Sequence, residues 1–172
     1  MQFSNHEVSI FTASELAGFS ASYALWSMAE NEQLVPMLVY MTDSDEIKVD
    51  CIEPIDSQQD PIEYGLQKLR SNDFAAKYAS FVYATHINID KTRTRAIIIE
   101  IRCYSLPKSE AVVSIPYSPK SNGKFCIHAP QITRFEHCED SWRQQFLYSF
   151  IDGIEGNELG QNVWNTYFDM PH

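Results

Sequence analysis

The stretch that decides the fold is SFVYATHINID-KTR-TRAIIIEIRCY, Ser80–Tyr104. Two runs rich in β-branched and aromatic residues flank a short polar break at Lys91-Thr92-Arg93, the pattern of a β-hairpin. Phe81, Tyr83, Ile87 and Ile89 share one face of the first strand, and Ile97, Ile99, Ile101 and Cys103 share one face of the second. Matching these faces pairs Ile87 with Ile97 across a three-residue loop. His86, Asn88, Ile98, Glu100 and Arg102 are then expected on the opposite face, with Ile98 more exposed than its neighbours.

Working outward, further strands join through short turns. Leu34–Met41 is apolar on both faces and is expected to be covered on both. Thr42-Asp43-Ser44-Asp45 reads as a turn into Glu46–Ile52, where Ile47, Val49 and Cys51 alternate with charged residues. Downstream, Ala111–Tyr117 and Phe125–Ala129 form a hairpin around Asn122-Gly123, with Pro116 marking an edge or strand end. Helices punctuate these strands. Thr12 and Glu15 fit a capping box ahead of a stripe at Leu16, Phe19, Tyr23 and Trp26, running to about Glu30. Asp60, Pro61 and Glu63 open a second helix with Ile62, Leu66 and Leu69 on its stripe. A short helical turn is expected at Phe74–Tyr78. A last helix, Ser141–Ile154, carries Trp142, Phe146, Phe150 and Ile154.

Six strands joined by tight turns, with helices before, between and after, imply an α+β fold with a mainly antiparallel sheet and helices packed on one face. At 172 residues the chain is read as a single domain, 1–172. Trp164, Tyr167 and Phe168 make 157–172 a docked aromatic tail.

Composition bounds the function. The apolar fraction of 44% and aromatic fraction of 13% exclude a disordered chain. The longest apolar run, Leu34–Met41, is too short to span a membrane, and the first residues lack the basic and apolar parts of a secretory signal. Four irregularly spaced cysteines, Cys51, Cys103, Cys126 and Cys138, read as free thiols of a cytoplasmic protein. The net charge of −10 argues against nucleic acid as a partner. That charge is unevenly laid out: residues 1–67 carry a net of −11, 68–134 of +7 and 135–172 of −6.

Three clusters have chemistry to offer. On the expected register His86 lies diagonal to Glu100, a base beside a carboxylate, with Arg102 able to orient an anion. Cys126 and His128, two apart on one strand face, can ligate a metal if the chain folds His137 or Cys138 onto them, although the spacing fits no common zinc pattern. Asp43, Asp45 and Glu46 crowd one hairpin tip. As a calcium loop they fail, because Lys48 falls where glycine is needed. Lys91, Arg93 and Arg95 make a basic hairpin tip, as sheet ends commonly do. The sequence contains no phosphate-binding loop, dinucleotide fingerprint, nucleophile elbow or paired-cysteine motif. No cofactor is expected. The reading is of a non-enzymatic protein-binding module, adaptor-, chaperone- or immunity-like in composition. Its acidic tip faces a basic protein partner or its surface builds a homo-oligomer. The alternatives are a small enzyme using His86 and Glu100, and a metal protein using Cys126 and His128.

Overall fold

The computed structural model describes residues 2–30, 33–53, 58–119 and 125–169. Its elements are α1 (Asn5–Ala29), β1 (Met37–Met41), β2 (Ile47–Cys51), α2 (Pro61–Ser71), β3 (Tyr78–Ile89), β4 (Thr92–Cys103), β5 (Glu110–Ser118), β6 (Cys126–Ile127), β7 (Gln131–Glu136), α3 (Arg143–Glu155) and α4 (Glu158–Tyr167). Seven strands form an antiparallel sheet in the order β2-β1-β3-β4-β5-β6, with β7 also paired to β5. The fold is α+β, and the helices flank the sheet on both faces rather than one.

The central hairpin is present, but its register differs from the one expected. Ile89 pairs with Thr92, Ala84 with Ile97, Val82 with Ile99 and Ser80 with Ile101. The loop is the two residues Asp90 and Lys91, both at positive φ (48° and 68°). This backbone matches strand twist but normally asks for Asn-Gly or Asp-Gly. Odd positions of β4 therefore face with even positions of β3. Ile97, Ile99 and Ile101 join the large core under α1, whereas Phe81 and Tyr83 look to the other side. Ile98 is also buried, at 5% exposure, against Ala96, Val112, Tyr83 and Ile87.

Helix α1 begins eight residues earlier than the Thr12 cap implies. Ser4 accepts from the Glu7 backbone N–H and the Glu7 carboxylate accepts from the Ser4 N–H, a complete capping box. The face that α1 buries is built largely of small residues: Ala13, Ser14, Ala17, Gly18, Ala21 and Ala24, with Ile10 and Leu25. Small side chains let α3 approach closely. The Ser14 hydroxyl donates to the Phe146 carbonyl at 2.6 Å, and a Cβ built on Gly18 would lie 1.9 Å from the Phe150 carbonyl oxygen. Phe146, Phe150 and Ile154 fill the space beside this seam. The expected stripe is partly outside it: Leu16 is buried, Phe19 half-buried and Tyr23 exposed.

Helix α2 is capped as expected, with Asp60 accepting from the Ile62 N–H and Pro61 at the first turn. It packs on the opposite sheet face, where Leu69 meets Leu38, Tyr40, Ala79 and Phe81. The segment around Phe74 is a turn rather than a helix, its backbone held by the Asn72 side chain, which accepts from Ala76 N at 2.9 Å. Beyond the six expected strands, Gln131–Glu136 adds β7, which pairs β5 through a bulge at Val112/Val113. The Asn122-Gly123 turn lies outside the described residues. The aromatic tail docks as a helix: Asn157 caps α4, Trp164 is buried, and Phe168 stacks on it with centroids 4.4 Å apart. Among the described residues, no helix is long and apolar enough to cross a membrane.

Burial gives two tyrosines a measurable consequence. Tyr83 donates to the Glu100 carboxylate at 3.1 Å and Tyr104 to the Leu69 carbonyl at 2.6 Å. Burial pushes both phenols well above their usual range, with the Glu100 charge adding to the rise at Tyr83. In the unfolded chain each ionises near pH ~10, so above that pH the unfolded state has shed protons that the folded state keeps. Stability is thus fully present below about pH 10 and falls as pH rises beyond it. Tyr104→Phe is expected to flatten this alkaline fall in urea unfolding series. An unchanged slope would mean that the Tyr104 phenol ionises alike in both states.

Candidate functional site

The acidic hairpin tip is the best-placed of the three clusters. Met41 pairs with Ile47 and Val39 with Val49; Val39 in turn pairs with Ser80, and Ser80 with Ile101. Ile47 and Val49 therefore point to the same side of the sheet as α1. Among the described residues the sheet ends at β2, with no further strand continuing the layer there, and the two side chains are 45% and 49% exposed. Between this strand and the helices runs a cleft of about 260 Å³ lined by Thr12, Glu15, Leu16, Phe19, Met41, Ile47, Gly153 and Gly156. Its floor is apolar, and Glu15 is exposed on its rim. At one end stands the Thr42–Glu46 turn, closed by Thr42 N–H to the Glu46 carbonyl at 2.9 Å. Asp43, Asp45 and Glu46 are all exposed there, and Asp45, at positive φ, forms an ion pair with Lys77. That contact raises the Lys77 ammonium above its usual range. The Asp43 charge adds to that rise from nearby without pairing directly.

The His86–Glu100 pair does not form. His86 pairs with Arg95 and lies two residues beyond Ala84, on the α1 side, whereas Glu100 lies between Phe81 and Val112 on the other. The sheet separates base from carboxylate. Arg102 does stay with Glu100: its guanidinium is 3.7 Å from Glu100 and 3.5 Å from Glu110, and Arg134 reaches Glu110 from β7 at 3.7 Å. Glu100, Tyr83 and Arg134 also line a shallow hollow of about 390 Å³ on the open sheet face, with Ile87, Ile98 and Thr133. His86 instead lines a separate hollow of about 540 Å³ with Arg93, Arg95, Tyr117 and Ser118. The basic tip thus contributes two arginines to a concave surface.

The Cys126–His128 cluster divides. Both side chains leave the same strand face, opposite the buried Phe125 and Ile127, as the alternation requires. His137 and Cys138 are not brought to them. They follow β7, whose Glu136 pairs with Glu110 at one end of β5, whereas Cys126 pairs with Ser118 at the other. Those ends lie on the order of 25 Å apart along an extended strand. Cys138 packs near Cys103 instead, and burial, with the neighbouring thiol adding, pushes it up to about 11. The residue that does join Cys126 and His128 is Asp169, carried in by the tail. Nothing in the local sequence spacing signals it, because the contact is made by packing across 41 residues.

No family model, curated protein or solved structure matches the chain.

Proposed function

We propose that the chain is a non-enzymatic protein-binding module whose docking surface is the β2 edge with the cleft beside α1. The observation that carries this reading is the pair of exposed apolar side chains, Ile47 and Val49, on a sheet edge next to an acidic turn. An edge strand offers backbone donors and acceptors to an added strand, and alternate side chains then set specificity. Asp43, Glu46 and Glu15 give that surface a negative rim, which favours a partner segment with basic residues flanking apolar ones and speeds its approach. The module acts in the cytoplasm, where thiols such as Cys51 on this same strand stay reduced. A second copy pairing at this edge is the competing occupant.

Photo-crosslinking from position 49 in the native host identifies the occupant, and purified components then give the kinetics. Asp43→Asn/Asp45→Asn/Glu46→Gln is expected to slow association and weaken its dependence on salt, because long-range steering is what is lost. Val49→Lys is expected to raise the dissociation rate, and His86→Ala to leave both rates unchanged. An association rate untouched by the triple neutralisation would remove the acidic tip from the interface. A crosslink from position 49 to the same position of another copy would establish self-association instead.

A further inference from the structure

We propose that Cys126, His128 and Asp169 form a binding site for a zinc-type divalent transition metal at the far edge of the sheet from the docking cleft. One ligand atom from each residue lies within 4.8 Å of the other two. A thiolate, an imidazole and a carboxylate are the three side-chain types that bind zinc. With metal–ligand bonds of about 2.0–2.3 Å, tetrahedral ligands stand about 3.3–3.8 Å apart, so the present cluster needs to contract by at most about 1.5 Å.

The fold places each ligand for a separate reason. Ile127 is fully buried between the core and the tail, which turns Cys126 and His128 together to the outer face. The tail then adds itself to β6: Phe168 bridges Ile127 in parallel, and the Asp169 N–H donates to the Ile127 carbonyl at 2.8 Å. Tyr167 against Phe125 and Phe168 on Trp164 hold that segment down. Asp169 is fixed by its backbone, and its carboxylate falls beside the imidazole.

The imidazole is oriented as a ligand. Its Nε2 is 3.1 Å from the Ser118 hydroxyl, and its Nδ1 faces the Asp169 carboxylate at 3.9 Å. That second distance is too long for a hydrogen bond and leaves room for a bridging ion. With Nε2–H donated to Ser118, the lone pair sits on Nδ1, on the side of Asp169, the outer-shell arrangement that fixes the tautomer of metal-bound histidines. Three protein ligands leave a fourth position for water or an exogenous donor. The same groups also line up as Ser118, His128 and Asp169 in the order of a hydrolytic triad. The long His128–Asp169 gap and the presence of Cys126 in the cluster favour the metal.

The test is calorimetric titration of the reduced, tag-free chain with zinc, and titration with cobalt for its thiolate charge-transfer absorption. One ion per chain is expected, with a cobalt band that Cys126→Ser abolishes. Asp169→Asn changes an exposed side chain without touching the fold and is expected to weaken binding by at least about tenfold; Ser118→Ala is expected to weaken it by about 10–100-fold through the outer shell. His137→Ala/Cys138→Ser is expected to leave affinity unchanged. Absence of stoichiometric binding, or affinity indifferent to Asp169→Asn, overturns the site. So does metal-independent labelling of Ser118 by a fluorophosphonate, which would make these groups a hydrolytic triad.

Discussion

Gly153→Ala is expected to cost at least about 3 kcal/mol of folding stability, the upper end of what an inserted carbon costs in a packed core. A Cβ there would lie 2.0 Å from the Glu15 carbonyl oxygen and 2.9 Å from the Phe19 nitrogen. Both are backbone atoms of α1, so no side chain can rotate away. The reciprocal contact is as tight, since a Cβ on Gly18 meets the Phe150 carbonyl at 1.9 Å. Relief requires the two helices to part, and that exposes Phe146, Phe150 and Ile154, which are fully buried. The loss should appear as a lower urea midpoint with an unchanged slope. Gly156→Ala is the control: its nearest neighbour is the Asp152 carbonyl at 3.3 Å and its φ is an ordinary −70°. It should change stability by less than about 1 kcal/mol. Equal effects at the two positions would mean that the α1–α3 seam is looser than it stands here. The cleft beside β2 is lined by Gly153 and Gly156 as well, so opening the seam should also disturb the proposed docking surface.

That seam shows why the first helix was only half legible. Leu16, Phe19, Tyr23 and Trp26 form the stripe that a search for large apolar residues finds. The face that α1 buries is instead marked by alanine, serine and glycine, which contribute little to such a pattern. Small residues at helical spacing are informative about close approach, yet no single sequence says which helix approaches. The hairpin register failed for a related reason. Matching the isoleucine face of β4 to the aromatic face of β3 presumes one buried face. The sheet is covered by α1 on one side and in part by α2 on the other, so apolar residues occupy both parities and burial cannot choose between registers. The turn could have chosen, but Asp90-Lys91 lacks the glycine that usually announces a two-residue loop. The strands and their antiparallel hairpins were readable because β-branched runs and turns are local signals. The seventh strand, Gln131–Glu136, has an alternation too weak to read and is defined by its pairing with β5.

The site residues follow the same division. Cys126 and His128 could be placed on one face from strand parity alone, and the structure has them there. Their third companion could not, because Asp169 arrives through the docking of Phe168 and Trp164. His86 and Glu100 were joined only by the register, and a shift of odd parity moved them to opposite faces. The acidic residues of the Thr42–Glu46 turn stay together because a turn between two strands keeps its residues together whatever the register.

Arg102→Met is expected to cost about 3–5 kcal/mol, the loss seen when one partner of a buried ion pair is removed. Arg102 and Glu100 are 8% and 7% exposed, the buried charged side chains among the described residues. The guanidinium lies between Glu100 and Glu110 and donates to the Ile101 carbonyl at 3.0 Å. Without it, the Glu100 carboxylate keeps the Tyr83 hydroxyl, one neutral donor where a charge had stood. A buried carboxylate left so is costly, whereas removing both charges is not. Glu100→Leu/Arg102→Met should therefore recover much of the stability that Arg102→Met loses, giving a large coupling in the double-mutant cycle. If Arg102→Met costs less than about 1 kcal/mol, the pair behaves as a solvated one, and the hollow beside Tyr83 admits water to it. The large loss and its recovery would show instead that this ladder fixes how β3, β4 and β5 stack, since its charges come from β4 and β5 and its hydroxyl from β3.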